Sequence, residues 1–322
     1  MAARSDTRKH RQGALTASVL VVAGLVLATS IAAAARIRWH DSFEEALAAA
    51  TQSHKPILVF AYLSQPGGAY DLAHDRMLHE TLVDTGVAEV AAAFEAVQLD
   101  VRRSENAAAR RRLRVSPVVS GPTGVIEGES VAAYPVTLFL DHSGKELYRR
   151  SGWLPPEAYR VQLERARALF AGLDAVTAAP GDAVARRNLG RAYMEMDFAP
   201  GDRFHRAALE NLERAVSLDP QNETGANFDA RVDLAILRMP DDPQKGVEEL
   251  GRLKQEDRDG HRRLEIEYYM AVAQFVLENV QEALAILSRF ETDDRSSPYF
   301  DSEWTPQALG LLKYIRTEVL TR

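Results

Sequence analysis

Side chains that carry chemistry are sparse in this chain of 322 residues, and cysteine is absent. A protein without cysteine has no disulfide, no thiolate nucleophile, no thiolate-ligated metal and no dithiol redox couple. The sequence also contains no phosphate-binding glycine loop, no H-E-x-x-H pair and no G-x-S-x-G turn. These absences predict no catalytic residue, no metal site and no small-molecule cofactor.

Two histidines, His74 and His79, lie with Asp71 and Asp75 in a predicted helix over residues 69–83. Histidines five residues apart do not share a helical face, whereas Asp75 and His79, four apart, do. Because a metal site needs three or four converging ligands, the spacing favours an ion pair on the helix surface.

Ser64 is a candidate nucleophile, because it opens the turn-rich stretch Ser64-Gln65-Pro66-Gly67-Gly68. A serine hydroxyl needs a base beside it, and no histidine is its neighbour in sequence, although His74 could approach it in the folded chain. A hydrolase or isomerase using Ser64 or the helix with His74 and His79 is therefore an alternative from the enzyme class.

The charge balance restricts the partners. The chain carries 39 basic and 46 acidic side chains, with a formal net charge of −7, which argues against a nucleic-acid binder. Six arginines lie between Arg102 and Arg114. Because they spread around a predicted helix, a solvated face is favoured, with an anionic lipid or an acidic partner as the alternative.

The N-terminal segment has the pattern of a membrane anchor. Residues 1–13 form a basic tail, and residues 14–35 contain no charge. A helix of that length spans about 33 Å, enough to cross a hydrocarbon core of about 30 Å. The basic flank places the N-terminus in the cytoplasm, while the alanines 32–35 keep a cleaved signal peptide as the alternative. The pattern predicts a single-pass protein of a bacterial inner membrane, with its soluble domains in the periplasm or outside the cell.

Strand and helix patterns alternate from Arg38 to Phe170. Ser42 and Glu45 form the pattern of a capping box at the start of a helix that ends near Thr51. We expect strands over residues 57–63, 94–101, 136–140 and 145–150, and helices over residues 69–83, 87–93, 104–113 and 155–170. The alternation predicts an α/β domain over residues 38–170.

Several segments of this domain resemble the thioredoxin-like superfamily. They are Lys55-Pro56-Ile57-Leu58-Val59-Phe60, Val97-x-Leu99-Asp100-Val101, Tyr134-Pro135-Val136-Thr137-Leu138-Phe139-Leu140-Asp141-x-x-Gly144, and Gly152 ahead of the last helix. The family's Cys-x-x-Cys is replaced here by Ser64-Gln65-Pro66-Gly67-Gly68, and this excludes thioredoxin-type reduction.

The resemblance implies a peptide-binding groove even without the thiols. Pro135 is expected to follow a cis peptide bond, and the main chain of Tyr134 to pair with an extended peptide, beside Gln65 and Gly68. The alternative is that Pro135 only shapes the entry into its strand. Residues 116–133 form an insertion, expected as a surface loop or hairpin that acts as a lid or is neutral.

Residues 181–322 carry only helical patterns. Asn188-Leu189-Gly190-x-x-Tyr193 and Ala208-x-x-x-Leu212-x-x-Ala215 resemble the two helices of a tetratricopeptide repeat, and two degenerate pairs and an amphipathic segment over 305–320 follow. The resemblance places Arg187 and Arg191 on a concave face, where the pair could bind a carboxylate of a peptide. The alternative is pairing with acids of the chain such as Glu195.

These patterns together predict a fold class: an α/β thioredoxin-like domain plus an all-α domain of tetratricopeptide-like repeats, with an N-terminal transmembrane helix. The predicted function is a non-catalytic, membrane-tethered adaptor or holdase-type chaperone. Its partners would be protein or peptide clients and, through residues 14–35, the inner membrane. A structural subunit of one cell-envelope complex is the alternative.

Overall fold

The computed structural model describes residues 36–64, 72–116, 125–126, 129–130, 134–196 and 202–320. These residues form two compact units. The first extends up to Leu138 and includes Arg149–Arg160, and the second combines Phe139–Tyr148 with the chain from Val161 onward. The predicted membrane segment 14–35, the turn with Gln65 and Gly68, and most of the insertion 116–133 lie outside the described residues.

Two predictions about the whole chain need correction. The described residues are mostly helical, with one small five-stranded mixed sheet, which corrects the predicted fold class. Strands of only two to six residues leave most of the described chain to helices. In addition, no described helix is both long and apolar enough to cross a membrane. The predicted transmembrane helix and the single-pass location in an inner membrane are corrected accordingly: they have no support among the described residues, and residues 14–35 lie outside them.

The sheet has the strand order β1-β3-β2-β6-β7, in which β3 pairs in parallel with both β1 and β2. Its strands are β1 (Trp39–His40), β2 (Ile57–Tyr62), β3 (Glu95–Asp100), β6 (Val136–Leu140) and β7 (Glu146–Ser151); a separate antiparallel pair contains β4 (Val125–Ile126) and β5 (Glu129–Ser130). Every side chain from Ile57 to Ala61 is fully buried. This continuous apolar run confirms the prediction of a central strand covered on both faces.

Short helices accompany the sheet. They are α1 (Phe43–Ser53), α2 (Leu72–Arg76) with a π-helical turn Met77–Thr81, α3 (Thr85–Ala91) and α4 (Ala107–Leu113). The hydroxyl of Ser42 accepts a hydrogen bond from the N–H of Glu45 at 3.1 Å, and the Glu45 carboxylate accepts one from the N–H of Asp41 at 3.2 Å. The predicted start of α1 is therefore confirmed.

The next helix, α5 (Pro156–Ala178), is longer than the predicted segment 155–170. Gly172 lies inside it, and a Cβ atom at Gly172 would lie 3.1 Å from the Cα of Leu189. Gly172 therefore allows a close approach between two helices rather than ending α5.

Helices follow one another through the rest of the second unit, in the segments where the sequence predicts them. They are α6 (Ala183–Met194), α7 (Arg203–Leu218), α8 (Ala226–Arg238), α9 (Pro243–Glu256), α10 (Arg263–Val276), α11 (Val280–Leu287) and α12 (Thr305–Tyr314). Helices α7 and α8 bury a cluster that includes Ala208, Leu212, Ala215 and Ala230. Gly190 of α6 faces Leu212 of this cluster so closely that an added Cβ atom would lie 2.6 Å from the Leu212 Cγ.

Candidate functional site

Tyr134 and Pro135 immediately precede β6 and are joined by a cis peptide bond, as the family resemblance implies. The Tyr134 side chain is buried, and its hydroxyl donates a hydrogen bond to the carbonyl of Ser116 at 2.6 Å. Burial raises the pKa of Tyr134 to about 12, although the charges of Arg149 and Arg110 act in the opposite direction. The hydroxyl is therefore a protonated donor at neutral pH, and it fixes the position of this residue.

Main-chain groups at Tyr134 and Pro135 differ in whether they have hydrogen-bond partners. The carbonyl of Pro135 accepts a hydrogen bond from the N–H of Gly152 at 2.7 Å. By contrast, the N–H and C=O groups of Tyr134 have no hydrogen-bond partner among the described residues. The predicted neighbours Gln65 and Gly68 fall in the part of the chain that the structure does not describe. No described residue therefore pairs with the main chain of Tyr134, although Tyr134 itself is buried.

Ser64 lies at the end of β2, where it contacts the buried carboxylate of Asp100. The Ser64 N–H donates to Asp100 Oδ1 at 3.4 Å, and the same carboxylate accepts from the N–H of Arg102 at 3.1 Å and from Arg103 Nε at 3.3 Å. Burial tends to raise the pKa of Asp100, but the hydrogen bonds from Ser64 and Arg102 and the charge of Arg103 hold this pKa below its usual value. A carboxylate with a lowered pKa is a weak base, so the arrangement favours a structural contact over activation of Ser64.

The two histidines of α2 and its π-helical turn, His74 and His79, occupy different environments. His79 Nε2 lies 3.5 Å from Asp75 Oδ1, and both side chains are exposed, which confirms the predicted surface pair. His74 is buried, and its ring stacks on Tyr62 with 4.5 Å between the centroids. In the described part of the chain, no group of three or more His, Asp or Glu side chains converges as a metal site would.

Five of the six arginines between Arg102 and Arg114 are exposed, as the prediction of a solvated face requires, and three of the six contact neighbouring groups. Arg103 pairs with Asp100, and Arg110 donates a hydrogen bond to the carbonyl of Val101. The guanidinium of Arg112 lies 5.5 Å from the ring centre of Phe43. These contacts hold the chain between β3 and α4 to the first unit.

The predicted arginine pair of the second unit, Arg187 and Arg191, lies against the fully buried carboxylate of Asp233. Arg191 Nη1 lies 2.8 Å from Asp233 Oδ1, and Arg187 Nε lies 3.2 Å from Asp233 Oδ2. Arg191 also contacts Glu265 at 2.7 Å and Glu195 at 3.0 Å. Both guanidinium groups therefore already have carboxylate partners within the chain.

A third arginine, Arg262, completes this buried network. Arg262 Nη2 donates to Asp233 Oδ1 at 2.6 Å, its Nε to Glu265 Oε2 at 2.5 Å, and its Nη1 to Asp229 Oδ1 at 3.2 Å. We call Asp233, Asp229, Glu265, Arg187, Arg191 and Arg262 the Asp233 cluster. Its members come from α6, α8 and the start of α10, so the cluster ties three helices together.

Electrostatics within the Asp233 cluster favour the charged forms of Arg191, Arg262 and Asp229. Burial opposes the charged form of Arg191 and Arg262, but Asp233 and Glu265 outweigh it and raise the pKa of both. Burial likewise tends to raise the pKa of Asp229, while the hydrogen bond from His261 and the charges of Arg187 and Arg262 lower it below its usual value. A peptide carboxylate at Arg187 or Arg191 would have to compete with these internal partners.

A second feature of this unit is an open groove that the sequence analysis did not find. Its volume is about 810 Å³, and its lining includes Arg165 and Arg167 of α5, Arg191 and Met194 of α6, Tyr269 of α10, and Trp304. We call it the α5–α6 groove. No spacing in the sequence links these residues, because they come from segments far apart along the chain.

Comparisons with known proteins give weak structural similarity and no match in sequence. No protein-family model and no curated protein matches the chain, and the assignment of the helices to tetratricopeptide repeats is not confirmed. One solved structure, described as "DsbH Oxidoreductase", matches with 21% identity and a TM-score of 0.31, covering 43% of this chain and 90% of that chain. It is a thioredoxin-like protein.

Proposed function

We propose that this protein binds other polypeptides without catalysing a reaction on them, as an adaptor or a holdase-type chaperone. The observation that carries the proposal is the environment of Tyr134. Its side chain is fixed by the hydrogen bond to Ser116, while its main-chain N–H and C=O have no partner among the described residues. An extended segment of a client can pair with such groups as an added strand.

Two further observations support a role without catalysis. The chain has no cysteine, so the attack on disulfides by a thiolate is not available to it. Ser64 shares the buried carboxylate of Asp100, whose pKa lies below its usual value, so this carboxylate is a poor proton acceptor for the hydroxyl.

Crosslinking from the surface beside Tyr134 tests the proposal. A photo-activated amino acid replaces Ser151, which is exposed and adjacent to the Gly152 N–H that bonds the Pro135 carbonyl. The matched control carries the same amino acid at Glu44, an exposed position on α1. After illumination in the producing cells, we expect polypeptides crosslinked from position 151 and absent from position 44.

The spectrum of crosslinked proteins separates the candidate roles. One dominant product identifies an adaptor, and a fixed stoichiometry in the purified complex would identify a structural subunit. A broad spectrum, together with suppressed aggregation of several unfolded proteins in the absence of nucleotide, identifies a holdase. Equal crosslinking from positions 151 and 44 would contradict polypeptide binding at Tyr134.

A further inference from the structure

The α5–α6 groove has a rigid aromatic wall. The Trp304 ring stacks on Tyr268 with 5.5 Å between the centroids and packs edge-on against Tyr269 at 5.6 Å. Trp304 and Tyr269 are each partly exposed within the groove. Neighbouring rings already hold the Trp304 side chain in place. Covering it with a ligand therefore costs little further side-chain entropy of Trp304.

Four residues of the groove lining are of the types that protein-binding surfaces favour, beside the carboxylates of Glu164 and Glu195. Trp, Tyr, Met and Arg are the residue types enriched at the centres of protein interfaces, and the groove combines Trp304, Tyr269, Met194 and Arg165. Methionine adapts its shape to different apolar partners. A groove of about 810 Å³ has room for several side chains of a bound segment.

The charges of the groove indicate the sign of its occupant. The guanidinium of Arg191 is held by Asp233, Glu265 and Glu195. Arg165 and Arg167, in contrast, form no ion pair with any other residue that the structure describes. The lining also includes Glu195, which pairs with Arg191, and Glu164. In a chain of net charge −7, this edge of the groove therefore offers two arginines outside the ion pairs of the described residues.

We propose that the α5–α6 groove binds an acidic segment of a partner polypeptide, with one large apolar or aromatic side chain against Trp304 and carboxylates against Arg165 and Arg167. This inference rests on the proposed function in assuming a polypeptide ligand, but it concerns a surface different from that of Tyr134. Carboxylates fit the planar guanidinium groups through paired hydrogen bonds.

The test is the binding of fluorescein-labelled synthetic peptides to the full chain, followed by fluorescence anisotropy. The probe is a short peptide of Asp and Glu residues around a single tryptophan. One control peptide carries lysine in place of the acids, and the other keeps the acids but carries alanine in place of the tryptophan. We expect saturable binding of the probe that added salt weakens, and much weaker binding of both control peptides.

Charge variants locate the binding. The double variant Arg165→Gln/Arg167→Gln is expected to weaken probe binding roughly tenfold. The double variant Arg214→Gln/Arg295→Gln removes the same charge at exposed positions outside the groove lining and is expected to bind like the parent chain. Arg167, Arg214 and Arg295 are exposed and Arg165 is half-buried. An unchanged circular dichroism spectrum of each double variant verifies that it folds.

Three results would overturn the inference: no saturable binding of the probe, equal binding of the lysine or alanine peptide, or equal binding by the two double variants. A dimer in sedimentation that Arg165→Gln/Arg167→Gln abolishes would also overturn it, because a second copy would then occupy the groove. If crosslinking from Ser151 succeeds while this test fails, the groove is excluded and the proposed function stands.

Discussion

Replacing Asp233 with asparagine is expected to lower the free energy of unfolding by about 3–5 kcal/mol. The Asp233 carboxylate is fully buried and forms ion pairs with Arg187, Arg191 and Arg262. The amide of asparagine removes the negative charge and leaves the Asp233 cluster with uncompensated positive charge in a site of low dielectric. Urea denaturation of the purified chain, followed by circular dichroism, measures the loss.

An exposed ion pair of the same unit provides the matched control. Glu213 of α7 pairs with Arg238 of α8, and both side chains are about half exposed. We expect Glu213→Gln to change the free energy of unfolding by less than about 1 kcal/mol, because solvent screens such pairs. Equal losses in Asp233→Asn and Glu213→Gln would show that the Asp233 cluster does not stabilise this unit.

Replacing Gly190 with alanine is expected to destabilise the protein by about 1–3 kcal/mol. The added methyl group would lie 2.6 Å from Leu212 Cγ and 3.2 Å from the Leu212 main-chain nitrogen. Leu212 is fully buried among Ala208, Ala215 and Ala230, so it has little space into which to move. The energetic cost of overpacking therefore exceeds the stabilisation from the higher helix propensity of alanine, which is at most about 1 kcal/mol.

Gly310 is the control for this prediction, because it also lies inside a helix but has no atom within 4 Å of an added Cβ. Gly310→Ala is expected to raise the free energy of unfolding by up to about 1 kcal/mol through helix propensity alone. The midpoints of thermal and urea unfolding should thus be lower than those of the parent chain for Gly190→Ala and higher for Gly310→Ala. A shift of Gly190→Ala in the stabilising direction would show that the α6–α7 contact is looser than described.

Local elements of this fold are readable from the sequence, because their causes are local. The apolar run from Ile57, the cap at Ser42 and the strand over Val136–Leu140 each follow from neighbouring residues. Strand β1, Trp39–His40, gives no such signal, because two residues show no periodicity. The predicted helix 155–170 ends eight residues before the end of α5 at Ala178, because this last part packs against Leu189 of another helix at Gly172.

The candidate sites are less predictable, because their partners are distant along the chain. The spacing of Arg187 and Arg191 indicates a basic pair, but Asp233 and Glu265 follow only after dozens of residues. No pattern in the sequence brings them together. The α5–α6 groove likewise arises from the packing of α5, α6 and α10. The general fold class was wrong because the strand signals, although correctly located, belong to short strands in a mostly helical chain.

Amide hydrogen exchange at Tyr134 tests polypeptide binding most directly. Exchange is followed by nuclear magnetic resonance in the free chain and in the complex with the peptide segment that crosslinks from position 151, with saturation established separately by anisotropy. Because the Tyr134 N–H has no partner among the described residues, pairing with a client strand predicts slower exchange in the complex. Unchanged exchange of this amide in a saturated complex would contradict the account.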